Sequence, residues 1–438
     1  MTDTIRGSVA SGYEPVRDTF ISFLARQWDT GSAVSVYRRG APVVRLTGGT
    51  CIGGDEDRSY DDRTIQLVAS TTKFVESLAI ALLVDRELLS YDDRIGDHWP
   101  SFAEGGTTKA LVTVRQLMMH RAGLPVFDQK LGDAELFDFD ARARFLERQV
   151  QVASLFVPEP SADWRSQNPP PPQAYHAVSR GLYSSELVRR VDPARRRLGV
   201  FFREEIAEPL GVDFWIGLPD EQTARISGSR PDPTVIMRIL AGDAASLRTS
   251  GDARYQLHDH EVAFLRQLLT EPDSIASRAL NCLAPSGVAP QELANHAKLR
   301  ACELASSNGF GSADALARLA ALVAEGGTLG GVRIFSSDDT LRGAVETADA
   351  YAVDGMMGTT VAFTQGGFAR FVADDPERTV SIGWGGAGGQ LVRFVPELDL
   401  AIAYVTNTLG SRMAMHDPRG LELLATAVAC ARSSAGHH

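Results

Sequence analysis

Cysteine is scarce in this chain and sits nowhere useful for a cross-link or a metal. The four residues, Cys51, Cys282, Cys302 and Cys430, are scattered through 438 positions with no paired or ligand-like spacing, so they read as reduced core thiols. Long apolar runs are missing as well: no stretch approaches the ~18 residues that a membrane span requires. The opening Met1-Thr2-Asp3-Thr4-Ile5-Arg6-Gly7 lacks the basic start and apolar stretch of a secretory signal. The expectation is a cytoplasmic protein with no membrane partner. Positive charge is in the minority, with 44 Lys and Arg against 55 Asp and Glu and a net charge of −11, which disfavours nucleic acid and anionic membrane as partners. The one basic cluster, Arg189, Arg190, Arg195, Arg196 and Arg197, reads as a solvated helix end facing nearby acids. There is no internal repeat and no low-complexity tract of any length. Glycine-rich Ser307-Asn308-Gly309-Phe310-Gly311-Ser312 is followed by no lysine and belongs to no dinucleotide fingerprint. No Gly-x-Ser-x-Gly pentapeptide exists, so the nucleophile elbow of an α/β-hydrolase is excluded.

What is present begins at Ser70-Thr71-Thr72-Lys73. The segment Thr64 to Ala69 reads as extended and apolar, and Phe74, Val75, Leu78, Ala79, Leu82 and Leu83 then recur at helical spacing on one face. Ser70 is thereby placed at a helix N-terminus, where first-turn N–H groups favour developing negative charge. Lys73, almost one turn on, lies over it. A serine hydroxyl becomes a nucleophile when a neighbour takes its proton, and a lysine set in apolar surroundings loses its charge readily.

Two further elements keep it company. Tyr175-His176-Ala177 opens a helical pattern through Val178, Leu182, Leu187, Val188 and Val191 that Asp192-Pro193 ends. Gly383-Trp384-Gly385-Gly386-Ala387-Gly388-Gly389 lies between strand-like runs at 379–382 and 391–395, and a third run follows at 400–405. A strand edge this rich in glycine lets a substrate approach the backbone closely enough for N–H groups to hold an oxyanion.

These elements, in this order, resemble the serine β-lactamase-like superfamily. Leu111 to Pro125 and Asp213 to Pro219 are similar to its class C branch, especially the esterase members and the LACTB-like β-lactamase-related proteins. The resemblance implies Ser70 as the acylated nucleophile, Lys73 as its proton-accepting partner and Tyr175 as general base or acid. Which of Lys73 and Tyr175 first takes the proton stays open. It also implies an oxyanion hole from the backbone N–H groups of Ser70 and Ala387. Substrate contacts are expected from Trp384, Gly385 and Gly386, with His176 beside them, and no metal or cofactor is implied. Two positions depart from the lactamase pattern. Ala177 stands where an asparagine usually ends the tyrosine motif, and Trp384 stands where a lysine or histidine would pair with a substrate carboxylate. Trp-Gly-Gly is instead the pattern of the family VIII carboxylesterases.

The fold implied is β-lactamase/transpeptidase-like: a central antiparallel sheet flanked by helices, with an inserted helical domain. Residues 1–68 and 330–438 are expected to form the α/β domain, 69–329 the mostly helical insertion, and the active site their junction. Val16, Phe20, Leu24 and Trp28 are in phase for an N-terminal helix, Arg39-Gly40 turns a hairpin, and Leu421 to Ala431 forms a last helix. Ala315 to Val323 reads as a late helix of the insertion, stopped at Gly326-Gly327.

The partner expected is a small-molecule ester or amide, and the activity a serine hydrolase, foremost a carboxylesterase on small neutral esters. An acyltransferase or amide hydrolase shares the same acyl-enzyme, and a weakly active LACTB-like scaffold or filament protein is the reading of another class. His258-Asp259-His260 has no third ligand in register and reads as a polar turn or strand. His120 is expected to hydrogen-bond backbone at a helix end. Asn168-Pro169-Pro170-Pro171-Pro172 reads as a stiff segment walling the pocket and bracing Tyr175. The stretch from Ser227 to Gln291, with a loop at Arg230-Pro231-Asp232-Pro233 and a helix from Val262 to Leu269, is where specificity is expected to reside.

Overall fold

The Arg39-Gly40 turn closes a hairpin between β-branched runs, with both residues at positive φ (49° and 71°), as a two-residue loop between twisted strands requires. It joins two strands of a sheet in the computed structural model, which describes residues 5–53, 58–158, 170–283, 295–345 and 351–435. Nine strands form this sheet among the described residues: β1 (Arg6–Val9), β2 (Gly31–Arg38), β3 (Ala41–Gly49), β4 (Ala352–Val353), β5 (Thr360–Phe363), β6 (Ala369–Val372), β7 (Val380–Gly386), β8 (Gln390–Val395) and β9 (Leu400–Thr406). Their order is β1-β3-β2-β9-β8-β7-β6-β5-β4, antiparallel throughout. Both ends of the chain therefore build one sheet, with β2 paired to β9 from Ser32↔Thr406 to Arg38↔Leu400.

Alternation along these strands separates two cores. Val34, Val36, Ile402 and Tyr404 face helix α1 (Glu14–Ala25) and the C-terminal helix Pro418–Ala435, against Val16, Phe20, Phe23 and Leu423. Ala33, Ala401, Ala403 and Val405 point into the larger core on the opposite face. At the centre of that core runs α2 (Thr72–Asp85). It was expected to be amphipathic, yet every residue from Thr72 to Leu83 is buried. Its polar positions, Thr72, Lys73, Glu76 and Ser77, face other protein groups instead of solvent, because α3 (Ser179–Val191) and the helix Leu198–Phe202 cover that side.

A second helical unit forms at the rim from α4 (Thr234–Leu240), α5 (Asp259–Thr270) and α6 (Ile275–Leu280). Val235, Ile239, Leu247, Val262 and Leu265 give it a small core of its own. The late helix α7 (Ala313–Ala324) packs on the sheet, against β2, β8 and β9. That position argues for ending the helical insertion before Ala313 instead of at residue 329. The expected basic cluster is ion-paired: Arg189 and Arg190 with Glu186, and Arg196 with Asp192 and Glu204. All four cysteines are unpaired. Among the described residues, no helix is long and apolar enough to cross a membrane.

Candidate active site

Between Thr64 and Leu83, Ser70 is the one residue that is not buried. It sits in a single 3₁₀ turn, Ala69–Thr71, that runs directly into α2. Ala69 enters that turn at φ 46°, a left-handed conformation costing a residue with a β-carbon about 1 to 2 kcal/mol, of the kind that collects at functional sites. Hydroxyls hold the turn: Thr71 Oγ1 donates to Val68 O (2.7 Å) and Thr72 Oγ1 to Ala69 O (2.5 Å), while Gly309 N donates to Thr72 Oγ1 (2.8 Å). Ser70 thus projects from a braced corner into a cavity of about 410 Å³.

Lys73 lies one turn on and is fully buried. Its Nζ donates to Ala177 O (2.6 Å) and Ser306 O (3.0 Å) and sits 4.7 Å from the centroid of the Tyr175 ring. Burial, reinforced by the Arg180 guanidinium and opposed by Glu76, pushes the Lys73 pKa well below that of a free lysine. A neutral amine has two N–H bonds and one lone pair. The two carbonyls take the N–H groups, so the lone pair is what remains.

Behind Lys73 lies a buried ion pair that sequence reasoning missed. Arg180 Nε donates to both Glu76 carboxylate oxygens (3.1 Å each), and Ser184 Oγ (2.7 Å) and Ser306 Oγ (2.8 Å) donate to the same group. The guanidinium also reaches Met118 O (3.0 Å), Gly367 O (2.9 Å) and Lys73 O (3.2 Å). Glu76 and Arg180 are thus satisfied on every side, as buried charges must be. The available signal was Glu76 one turn beyond Lys73 on the same helix.

Tyr175 does not open a helix as expected. It lies in an irregular segment four residues before α3. Two groups bracket it. His120, itself at φ 60°, accepts from Ala174 N through its carbonyl (3.0 Å) and from His176 N through Nδ1 (2.9 Å). Asp354 forms a β-bridge with Gln173, two residues before Tyr175, and accepts from Met356 N (3.0 Å) and Met357 N (2.9 Å), and burial raises its pKa to about 6. Held this way, Tyr175 lines the cavity beside Ser70. Burial pushes the phenol pKa up, so it stays protonated at neutral pH.

Strand β7 forms the third side. A β-carbon on Gly386 would lie 2.2 Å from Val68 O, so only glycine lets the strand touch the turn that carries Ser70. Gly385, Ala387 and Gly388 line the cavity beside Ser70 and Tyr175. Trp384 also reaches it but is only 1% exposed. Its ring stacks on Phe363 (5.6 Å between centroids) and tilts against Tyr175 (5.9 Å), and its Nε1 donates to Gly367 O (3.1 Å). The indole therefore supports Tyr175 and presents little more than an edge to a substrate.

Two expected substrate contacts need correction. His176 is fully buried behind the tyrosine: its Nε2 accepts from Leu124 N (3.1 Å) and its Nδ1 donates to Ala174 O (2.6 Å). Burial takes its pKa down to about 3, and it does not line the cavity. Gly386 spends its open face on Val68 instead of on the cavity. Asn168 and Pro169 lie outside the described residues, and Pro170, Pro171 and Pro172 do not line the cavity; the bracing of Tyr175 comes from His120 and Asp354.

His258 and His260 open α5, and His416, distant in sequence, joins them with ring centroids 5.4 to 5.9 Å apart. His260, Glu261 and His416 form a set with metal-ligating atoms. The Glu261 carboxylate, however, already accepts from Arg412 Nη2 (2.7 Å), His258 N (3.0 Å) and Met413 N (3.2 Å), so it serves as the partner of a cation the protein supplies.

The Beta-lactamase family profile matches residues 16–426. The curated relative "Esterase/beta-lactamase LipL" of Mycobacterium tuberculosis is 29% identical over 399 residues, covering 89% of this chain and 80% of that protein. The crystal structure of a family VIII carboxylesterase superposes with a TM-score of 0.77 at 26% identity, covering 97% of this chain and 99% of the other. A penicillin-binding protein homolog from Caulobacter crescentus gives a TM-score of 0.73 at 29% identity, with the same coverage of both chains. The antiparallel sheet with its helices is the β-lactamase/transpeptidase-like fold that the motifs implied. This chain belongs to the Beta-lactamase family.

Proposed function

We propose that the protein is a serine carboxylesterase for neutral esters, acting through an acyl-enzyme on Ser70. The observation that carries this reading is the pairing of a nucleophile corner with a cavity that offers no free cation. Among the described lining residues Arg412 is the only cation, and it is tied to the buried Glu261. Trp384 occupies the other position from which a carboxylate could be held. The esterase names carried by two of the relatives point the same way.

In this mechanism Ser70 Oγ attacks the ester carbonyl while its proton passes to the neutral amine of Lys73. The oxyanion is held by the N–H groups of Ser70 and Ala387. The C–O bond to the alcohol breaks and the leaving oxygen takes a proton from the Tyr175 hydroxyl, which Lys73 replenishes. Water then attacks the acyl-enzyme by the same route in reverse. Lys73, whose pKa is lowered, is the proton acceptor in this scheme, because burial raises the Tyr175 pKa and the phenol resists becoming phenolate.

Three results are expected. First, kcat/KM for nitrocefin and penicillins should fall one to two decades below that for 4-nitrophenyl esters, since losing a charge-assisted contact to the substrate carboxylate costs about 1.5 to 3 kcal/mol. Efficient β-lactam turnover matching that of esters would overturn the assignment. Second, the rate should fall on the acid side as Lys73 becomes protonated, with a midpoint well below the ordinary lysine range. An acid limb that persists unchanged in Lys73→Met, read in a variant with residual turnover, would remove lysine from the scheme. Third, Gly386→Ala should push β7 off the Val68 turn and lower kcat/KM about 100-fold, since small misplacement of an oxyanion donor is costly. Unchanged kinetics would show that the strand edge has no part in the reaction.

A further inference from the structure

The cavity beside Ser70 is far more apolar than a site for short, compact esters requires. One wall is a stripe on α5 at helical spacing, Phe264, Leu265, Leu268 and Leu269, completed by Ile236 from α4 and Leu280 from α6. Four methionines, Met356, Met357, Met413 and Met415, line the rest; their unbranched thioethers fit flexible apolar ligands. The polar groups at the rim are already engaged. Asp232 accepts from Tyr255 Oη (2.6 Å) and Thr234 N (2.9 Å), and Arg412 pairs with Glu261. The wall is also built on a separate core of its own, so its shape is fixed by packing instead of by loops.

We infer that this pocket takes an unbranched apolar chain of the ester, of medium length, and that α4, α5 and α6 set the chain-length preference; this rests on the esterase reading above. At ~30 Å³ for each water- or methylene-sized group, a cavity of about 410 Å³ holds the ester head and a chain of roughly ten carbons. An acetyl group would leave most of that apolar wall against water, whereas each methylene added up to the end of the cavity gains up to about fourfold in kcat/KM.

Two ester series separate the halves of the substrate: 4-nitrophenyl esters from acetate to laurate lengthen the acyl side, and alkyl acetates of matched lengths lengthen the alcohol side. In at least one series kcat/KM should climb severalfold per two carbons, peak near eight to ten and then fall. Leu268→Trp, which fills the cavity, should lower the decanoate-to-acetate ratio at least tenfold. Leu268→Ala should shift the peak to longer chains. A binding measurement independent of turnover accompanies them: decyl acetate titrated into Ser70→Ala protein should bind at least tenfold more tightly than butyl acetate. Rates and affinities that stay flat or decline from the shortest chain upward would overturn the pocket assignment. Chain-dependent binding without turnover of any ester by the wild type would instead remove the esterase reading and leave the apolar-chain site standing.

Discussion

Replacing Ser70 with alanine is expected to lower ester hydrolysis by about four orders of magnitude or more, while the thermal midpoint stays within a few degrees of wild type. In the proposed mechanism the Ser70 hydroxyl forms the acyl-enzyme, and members of such a proton-transfer unit fail together. The fold should survive because Ser70 is the one residue of its stretch not packed in the core. Steady-state kinetics and a melting curve on the same preparation check both halves. Activity within tenfold of wild type would contradict the nucleophile assignment.

Removing Arg180 should have the largest effect on stability. Arg180→Met leaves the Glu76 carboxylate buried without its partner, a change that typically costs about 3 to 5 kcal/mol and is measurable by chemical denaturation. Adding Glu76→Gln should recover part of that loss, since two neutral groups need less compensation than one stranded charge. The same variant carries a kinetic signature that a merely structural residue would lack. Arg180 lowers the Lys73 pKa and Glu76 raises it, so losing the guanidinium raises the pKa and moves the acid limb of the rate profile to higher pH. A limb that stayed in place or moved the other way would separate the ion pair from the chemistry.

Features written within a few residues were legible from the chain alone. Ser70 and Lys73 declare themselves about one turn apart at the start of α2, and β2, β3, β7, β8 and β9 show as β-branched or glycine-marked runs between turns. What stayed hidden depends on contacts across long separations. Glu76 and Arg180 are 104 positions apart, and His120 grips a segment more than fifty residues downstream. Burial misled in two places. The apolar spacing of α2 suggested a solvent-facing side, but helices cover its polar stripe and turn those residues into the site. Tyr175 precedes its helix because His120 takes the backbone N–H groups on either side of it, those of Ala174 and His176, and no local pattern announces a partner so distant. The helical rim from residue 232 to 280 was only partly readable, since its apolar stripe on α5 looks like any core helix until the cavity is seen on its other side.

The central claim is that Ser70, activated by a neutral Lys73, becomes covalently acylated. Incubation with a fluorophosphonate, followed by intact-mass measurement and peptide mapping, tests it most directly. The account predicts one adduct per chain, located on Ser70, forming at least about 100-fold more slowly in Lys73→Ala. No adduct, an adduct on another residue, or equal labelling rates in wild type and Lys73→Ala would contradict it.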